Sequence, residues 1–214
     1  MKLDIPFYAN TKDNTHCFQA ALKMVLKYFK PEENFTFEQL DKVTAKVEGL
    51  WTWPMAGSIW MQENGFEVVD VEEFDHDKFA NEGISYMEKE FGKEVADAQE
   101  KHSDIEQEQR FSKIFLEKVA VQKRIPVLED LRKFLKKGYL IICNVNSKAL
   151  KEIQGYSGHA VVIIGFDESN FFIHNPGLPA IENQKVSFKL FEKAWAYPNE
   201  NAKNILAFKL KNKP

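Results

Sequence analysis

The feature that most restricts the fold is a change of period at Gly138. Before it, apolar residues recur mostly at helical spacing. After it they come in β-branched runs: Tyr139 to Val145, then Gly158-His159-Ala160-Val161-Val162-Ile163-Ile164-Gly165-Phe166, then Asn170 to His174. Runs bounded in this way by Gly, Asn and Asp suit strands buried in a sheet. Helices first and strands afterwards give an α+β protein, with an N-terminal helical part followed by an antiparallel sheet, not alternating βαβ units. With 214 residues and 44% hydrophobic content the chain can bury a full core, and a single domain spanning residues 1–214 is expected.

Upstream of Gly138, residues 3–8 read as a short extended lead-in in which Pro6 forbids a central-strand role. A polar loop, Asn10 to His16, leads into a helix from Cys17 to Phe29, stopped before Pro31. A second helix runs from about Thr36 to Lys46, with Thr36 and Gln39 placed as a partial capping box. A turn carrying Trp51 and Trp53 precedes a third helix, Met55 to Asn64, closed by Gly65, and Phe66 to Val71 reads as a strand. Between about 75 and 124 the composition shifts. From Tyr86 to Arg110, twelve of 25 residues are charged, eight acidic and four basic, while the apolar residues keep helical spacing. This is read as a charged helical insertion, a pair of solvated amphipathic helices packing one apolar stripe on the core, or acting as a lid or partner-docking arm. Past Pro126, a helix ends at Gly138, Val186 to Trp195 is a short helix or a strand-to-helix element, and Asn204 to Leu210 is a closing strand.

Lys plus Arg number 29 against 32 Asp plus Glu, a net of −3, so neither a nucleic-acid-binding field nor an acidic tail is indicated. The two cysteines, Cys17 and Cys143, lie in different settings, and no CxxC pair or Cys/His cluster has zinc-ligand spacing. A cytoplasmic location fits this usage, or a secreted one if an upstream signal has been removed. The start of the chain lacks the apolar stretch of a signal peptide, and its apolar runs are too short to insert in a membrane. Oligomeric state is open.

Cys17 falls in the first turn of a helix, where free N–H groups and the positive end of the dipole favour a thiolate and lower a pKa that is ordinarily about 8.5. His159 opens a strand, and Asn175 follows the next strand in Asn175-Pro176-Gly177. A tight antiparallel pair, its strands about 4.8 Å apart, brings Asn175 beside His159. An acceptor oxygen then meets an imidazole N–H and holds the ring so that its other nitrogen faces a thiol. Cys143, inside an apolar strand, reads as inert packing. His16 is an exposed loop residue able to tune its neighbour, His174 points away from Asn175, and His76 and His102 have no evident partners.

These motifs resemble the papain-like cysteine peptidases, specifically the C39-like branch. The resemblance is carried by Ile5-Pro6-Phe7-Tyr8, Asp13-Asn14-Thr15-His16-Cys17, the Ala20-Ala21-Leu22-Lys23-Met24-Val25-Leu26 helix, the Gly158 to Phe166 strand and Asn175-Pro176-Gly177, and it covers residues 3–71 and 126–210. It implies a papain-like cysteine proteinase fold and a Cys17-His159-Asn175 triad that hydrolyses a peptide or amide through a thioester, with no metal or organic cofactor. Two departures stand out. Phe18 follows the cysteine where the family usually has Gly, and Thr11 stands where the family has an oxyanion-binding Gln. Asn10, Asn14 and Gln19 each carry an amide NH₂ able to replace that donor. Trp51, Trp53 and Trp60 are placed to line a substrate cleft. The alternatives are a catalytically degenerate peptide-binding module on the same scaffold and an acyltransferase that passes the acyl group to an amine.

Overall fold

The computed structural model describes residues 1–211. The helical part opens with α1 (Cys17–Phe29), α2 (Phe37–Val43) and α3 (Met55–Glu63), followed by strand β1 (Phe66–Glu72). The expected capping box is present at α2: Thr36 accepts from the Gln39 N–H, and the Gln39 side chain accepts from the Thr36 N–H. That helix ends three residues short of expectation, because Ala45 adopts φ +50°.

The charged segment holds four helices where a pair was expected: α4 (His76–Glu82), α5 (Ile84–Phe91), α6 (Lys93–His102) and α7 (Ile105–Lys118). Gly83 at φ +55° and Gly92 at φ +79° cut what reads as continuous helical periodicity. The helices are less solvated than their composition suggests, since Phe79, Tyr86, Met87, Phe91, Val95 and Phe115 are buried in the core. Then come β2 (Ala120–Lys123), α8 (Leu128–Lys136), β3 (Leu140–Asn146), the single turn α9 (Ser147–Leu150), β4 (Gly158–Phe166), β5 (Asn170–Asn175), β6 (Ile181–Ser187), α10 (Phe188–Trp195) and β7 (Asn204–Leu210).

Seven strands form one sheet in the order β2-β1-β7-β3-β4-β5-β6. All neighbours are antiparallel except β2, which runs parallel to β1 at the edge. The sheet is covered on both faces, which is why Leu140 to Cys143 of β3 and Ala160 to Ile164 of β4 are continuous apolar runs. Ala160, Val162 and Ile164 pack in the cluster that contains α1, whereas Val161 and Ile163 pack in the cluster of α8 and α10. Cys143 belongs to that second cluster and is fully buried; its setting raises the thiol well above its ordinary pKa.

The N-terminal lead-in crosses the sheet against β4. Leu3 N–H donates to the Ile164 carbonyl, and a Cβ at Gly165 would lie 2.5 Å from the Met1 carbonyl oxygen, so only glycine lets the two chains meet there. Further along, Asn10 N–H donates to the Pro176 carbonyl at 2.8 Å, which ties the loop before α1 to the turn after β5.

Candidate active site

Helix α1 begins at Cys17, with His16 at the N-cap position and no side chain capping the turn. Its free main-chain N–H groups and dipole therefore act on the thiol. Burial opposes the thiolate. Against it stand a hydrogen bond and charge attraction from His159, together with the main-chain N–H groups of Ala160 and Phe18; the net result holds the Cys17 thiol below its ordinary pKa.

His159, near the start of β4, is 7% exposed, and its Nε2 lies 2.8 Å from Asn175 Oδ1. The amide cannot be turned round without loss: Asn175 Nδ2 donates to Gln184 Oε1 at 2.8 Å, and Oδ1 also accepts from Gly177 N–H at 3.1 Å. Nε2 therefore carries its hydrogen toward Asn175, leaving Nδ1 as the nitrogen available to the thiol. His174 pairs with Val162 in the β4–β5 register, so Asn175 reaches His159 on the diagonal. Gln184 and Gly177 escaped sequence reasoning. A Cβ at Gly177 would sit 3.0 Å from Asn175 Oδ1 and 3.2 Å from His159 Nε2, so the glycine after Pro176 is required by the closeness of the backbone to the pair. The Asn-Pro-Gly tripeptide was the available signal for it.

The four residues considered as oxyanion donors have different placements. Thr11 Oγ1 is occupied by Asp13 and by His16 Nδ1. Gln19 is buried, with its NH₂ donating to Thr44 Oγ1 at 2.9 Å and Thr52 Oγ1 at 2.8 Å. Asn10 organises the loop, its oxygen accepting from the N–H groups of Thr11 and His16 and its NH₂ donating to Asn14 Oδ1 at 3.0 Å. Asn14 is the one of the four beside the thiol. It adopts φ +60°, a conformation Asn tolerates well. With its oxygen engaged by Asn10, its NH₂ has no acceptor among the described residues, and the residue lines a recess of about 50 Å³ shared with Cys17, His159 and Asn175.

A larger cavity of about 180 Å³ also opens at Cys17 and His159. Trp51 and Trp53 line it, joined by Phe18, Met55, Met87, Phe91 and Val95. Trp51 stacks on His102 with centroids 4.8 Å apart, and Trp53 stacks on Phe79 at 4.9 Å while its indole N–H donates to Gln99 and Ser103. Trp60 packs edge-on against Phe35, away from the cavity lining. Phe18 is accommodated by Gly57, where a Cβ would lie 2.9 Å from its ring.

The remaining histidines differ from their sequence reading. His16 is not an exposed loop residue; it is largely covered and bridges the loop to α2 through Asp41, 3.3 Å from Nε2. His76 contacts Glu72 and Ser112, and His102 has Trp51. His174 donates to the Ile5 carbonyl at 2.8 Å and accepts from Asn183 N–H, anchoring the lead-in; burial lowers its pKa.

A cysteine at a helix N-terminus set against a His–Asn pair on an antiparallel sheet is the arrangement of the papain-like fold. Within it the chain belongs to the Peptidase_C39-like family, whose description matches residues 2–203. Similar solved structures include the peptidase domain of Streptococcus ComA, a bifunctional ABC transporter involved in a quorum-sensing pathway, at 15% identity, with 97% of this chain and 98% of that chain covered and a TM-score of 0.50. A protein from Bacillus anthracis described as a C39-like peptidase matches at 19% identity over 99% of this chain and 100% of that chain, with a TM-score of 0.51. At these identities the likeness is one of fold. No functionally curated protein matches the chain. Among the described residues no helix is long and apolar enough to cross a membrane.

Proposed function

We propose that this chain is a cysteine peptidase or amidase that works through a thioester acyl-enzyme. The observation that carries the reading is the placement of Cys17, at the first turn of α1, in one recess with a His159 whose Nε2 lies 2.8 Å from Asn175 Oδ1, a setting that holds the thiol below its ordinary pKa. In the proposed cycle the Cys17 thiolate attacks the carbonyl carbon of the scissile amide and its π pair moves to oxygen. The Cys17 main-chain N–H and the Asn14 NH₂ receive that oxyanion. As the tetrahedral species collapses, the C–N bond breaks and His159 gives its Nδ1 proton to the departing amine. His159 then takes a proton from water, which attacks the thioester. The acid product leaves and the thiolate–imidazolium pair is restored. The apolar cavity beside the thiol supports a substrate with a bulky apolar side chain near the scissile bond.

The binding-module reading is favoured by one observation: the hydroxyl of Thr11, at the place of the family's Gln, is turned into the loop and not toward the thiol. Alkylation by iodoacetamide at pH 6 separates the two readings. The peptidase reading expects Cys17 to react at least tenfold faster than free cysteine and His159→Ala to remove that excess. A rate equal to free cysteine and unaffected by His159→Ala would leave only a binding module.

A further inference from the structure

The cavity that reaches Cys17 is also lined by two groups the acyl-transfer reading does not use, Glu72 and His76. Asp70 and Glu72 stand two apart on β1 and share a face of the strand. His76 opens α4, and its Nε2 lies 2.8 Å from Glu72 Oε1 and 3.8 Å from Asp70 Oδ2. We propose that Asp70, Glu72 and His76 bind a divalent first-row transition-metal ion whose remaining coordination positions face this cavity.

Three features support a ligand at this place. The imidazole is oriented for it: Ser112 Oγ donates to the His76 carbonyl at 3.0 Å, so at 3.0 Å from Nδ1 it accepts the Nδ1 hydrogen and leaves Nε2 turned to the two carboxylates. A second hydrogen bond of this kind is how metal-ligating histidines are held. The rings of Phe74, at 5.0 Å, and Phe115, at 4.8 Å, pack on the imidazole. Asp70 is 4% exposed, and its Oδ2, aimed at the same point, is buried with no hydrogen-bond partner among the described residues. Buried carboxylate oxygens are normally satisfied. His76 is also the one basic side chain within ion-pair distance of either carboxylate among the described residues, so two acidic groups face a single imidazole. A divalent cation neutralises that pair.

One donor atom from each residue lies within 4.8 Å of the other two. Ligands bonded at about 2.1 Å to a common ion stand roughly 3.0–3.4 Å apart, so modest side-chain rotation brings all three onto one ion. Two carboxylate oxygens with one imidazole nitrogen suit Zn²⁺, Mn²⁺ or Fe²⁺, and not Ca²⁺, which takes six to eight oxygens. Because Glu72 and His76 line the cavity, water or a substrate oxygen can complete the coordination, and chelators can reach the ion.

The test is calorimetric titration of the full chain with ZnCl₂ and, separately, CaCl₂, in a Cys17→Ala background so that the thiol and its imidazole do not compete. The expected result is one Zn²⁺ per chain, no Ca²⁺ binding, and affinity weakened at least tenfold by His76→Gln and by Asp70→Asn. Circular dichroism checks that the variants fold, and if Asp70→Asn does not, Glu72→Gln at the more exposed position supplies the same comparison. No saturable Zn²⁺ binding, or binding unchanged in variants that fold, would overturn the site. A Cys17 that proves unreactive in the alkylation experiment would leave this outcome unaffected.

Discussion

In the proposed peptidase cycle a single side-chain amide joins the Cys17 main-chain N–H in receiving the negatively charged oxygen. Thr11, which stands where the resemblance implies a Gln, pins His16 and Asp13 within the loop. The geometry offers Asn14 in its place, three residues closer in sequence to Cys17, with its oxygen tethered by Asn10 and its side chain lining a recess shared with Cys17 and His159. Removing one such donor costs about 10²–10³-fold in rate in enzymes of this chemistry. Asn14→Ala is therefore expected to lower acyl-enzyme formation from p-nitrophenyl acetate by about 10²-fold. Alkylation of Cys17 by iodoacetamide, which develops no oxyanion, should stay within twofold of wild type. Equal losses in both reactions would show that the substitution disturbs the loop and that Asn14 is not the donor.

At the scale of elements, the charged helices form one wall of the cavity that opens at the thiol. Met87 and Phe91 come from α5 and Val95 from α6, and all three are buried in the core while lining the cavity. Excising residues 82–122 would therefore remove core side chains such as Phe115 and Tyr86 and test folding, not access. A point substitution is the better probe. Val95→Phe adds volume into the cavity, at a packing cost of about 1–3 kcal/mol, and is expected to reduce turnover of peptides with bulky apolar side chains by tenfold or more while iodoacetamide still reacts at the wild-type rate. Unchanged peptide turnover would mean that substrates do not enter this cavity. The strands β3, β4 and β5 were legible from composition because both faces of the sheet are covered, and α1 because its apolar residues keep one face. The meeting of His159 with Asn175 was legible because the connection between β4 and β5 is short. The four-helix organisation was not, since helical periodicity continues across Gly83 and Gly92 and only their positive φ breaks it. The strand β6 was hidden by its polar, largely exposed side chains, and with it Gln184, the residue that fixes the Asn175 amide. The pairing of His76 with Glu72 and Ser112 depends on how α4 and α7 fold back against β1, which no local pattern records.

Over the whole molecule, burying this much charged sequence leaves carboxyl groups inside the fold whose ionisation sets how stability responds to pH. Glu108 on α7 is 4% exposed, and its Oε2 has no partner among the described residues. Burial pushes its pKa from 4.5 up to about 8, with a hydrogen bond from the Trp53 main chain pulling down and the charge of Asp104 pushing up. Between those two values the unfolded chain has released this proton and the folded chain retains it, so rising pH favours unfolding by about 1.4 kcal/mol per unit for this one group. The contribution is fully present below the unfolded value and is lost by the time pH passes the folded one. Glu108→Gln keeps the size of the side chain and removes the titration. Relative to wild type, the variant should gain about 2 kcal/mol of unfolding free energy between pH 6 and pH 8 in urea titrations. The other titrating groups are common to both proteins and cancel in the difference. Because Glu108 meets the main chain of Trp53, a wall of the cavity beside Cys17, its ionisation would strain the same wall that the peptidase reading assigns to substrate. Parallel stability curves for the two proteins from pH 6 to pH 8 would show that Glu108 is already ionised in the fold, and that the link between that wall and pH does not exist.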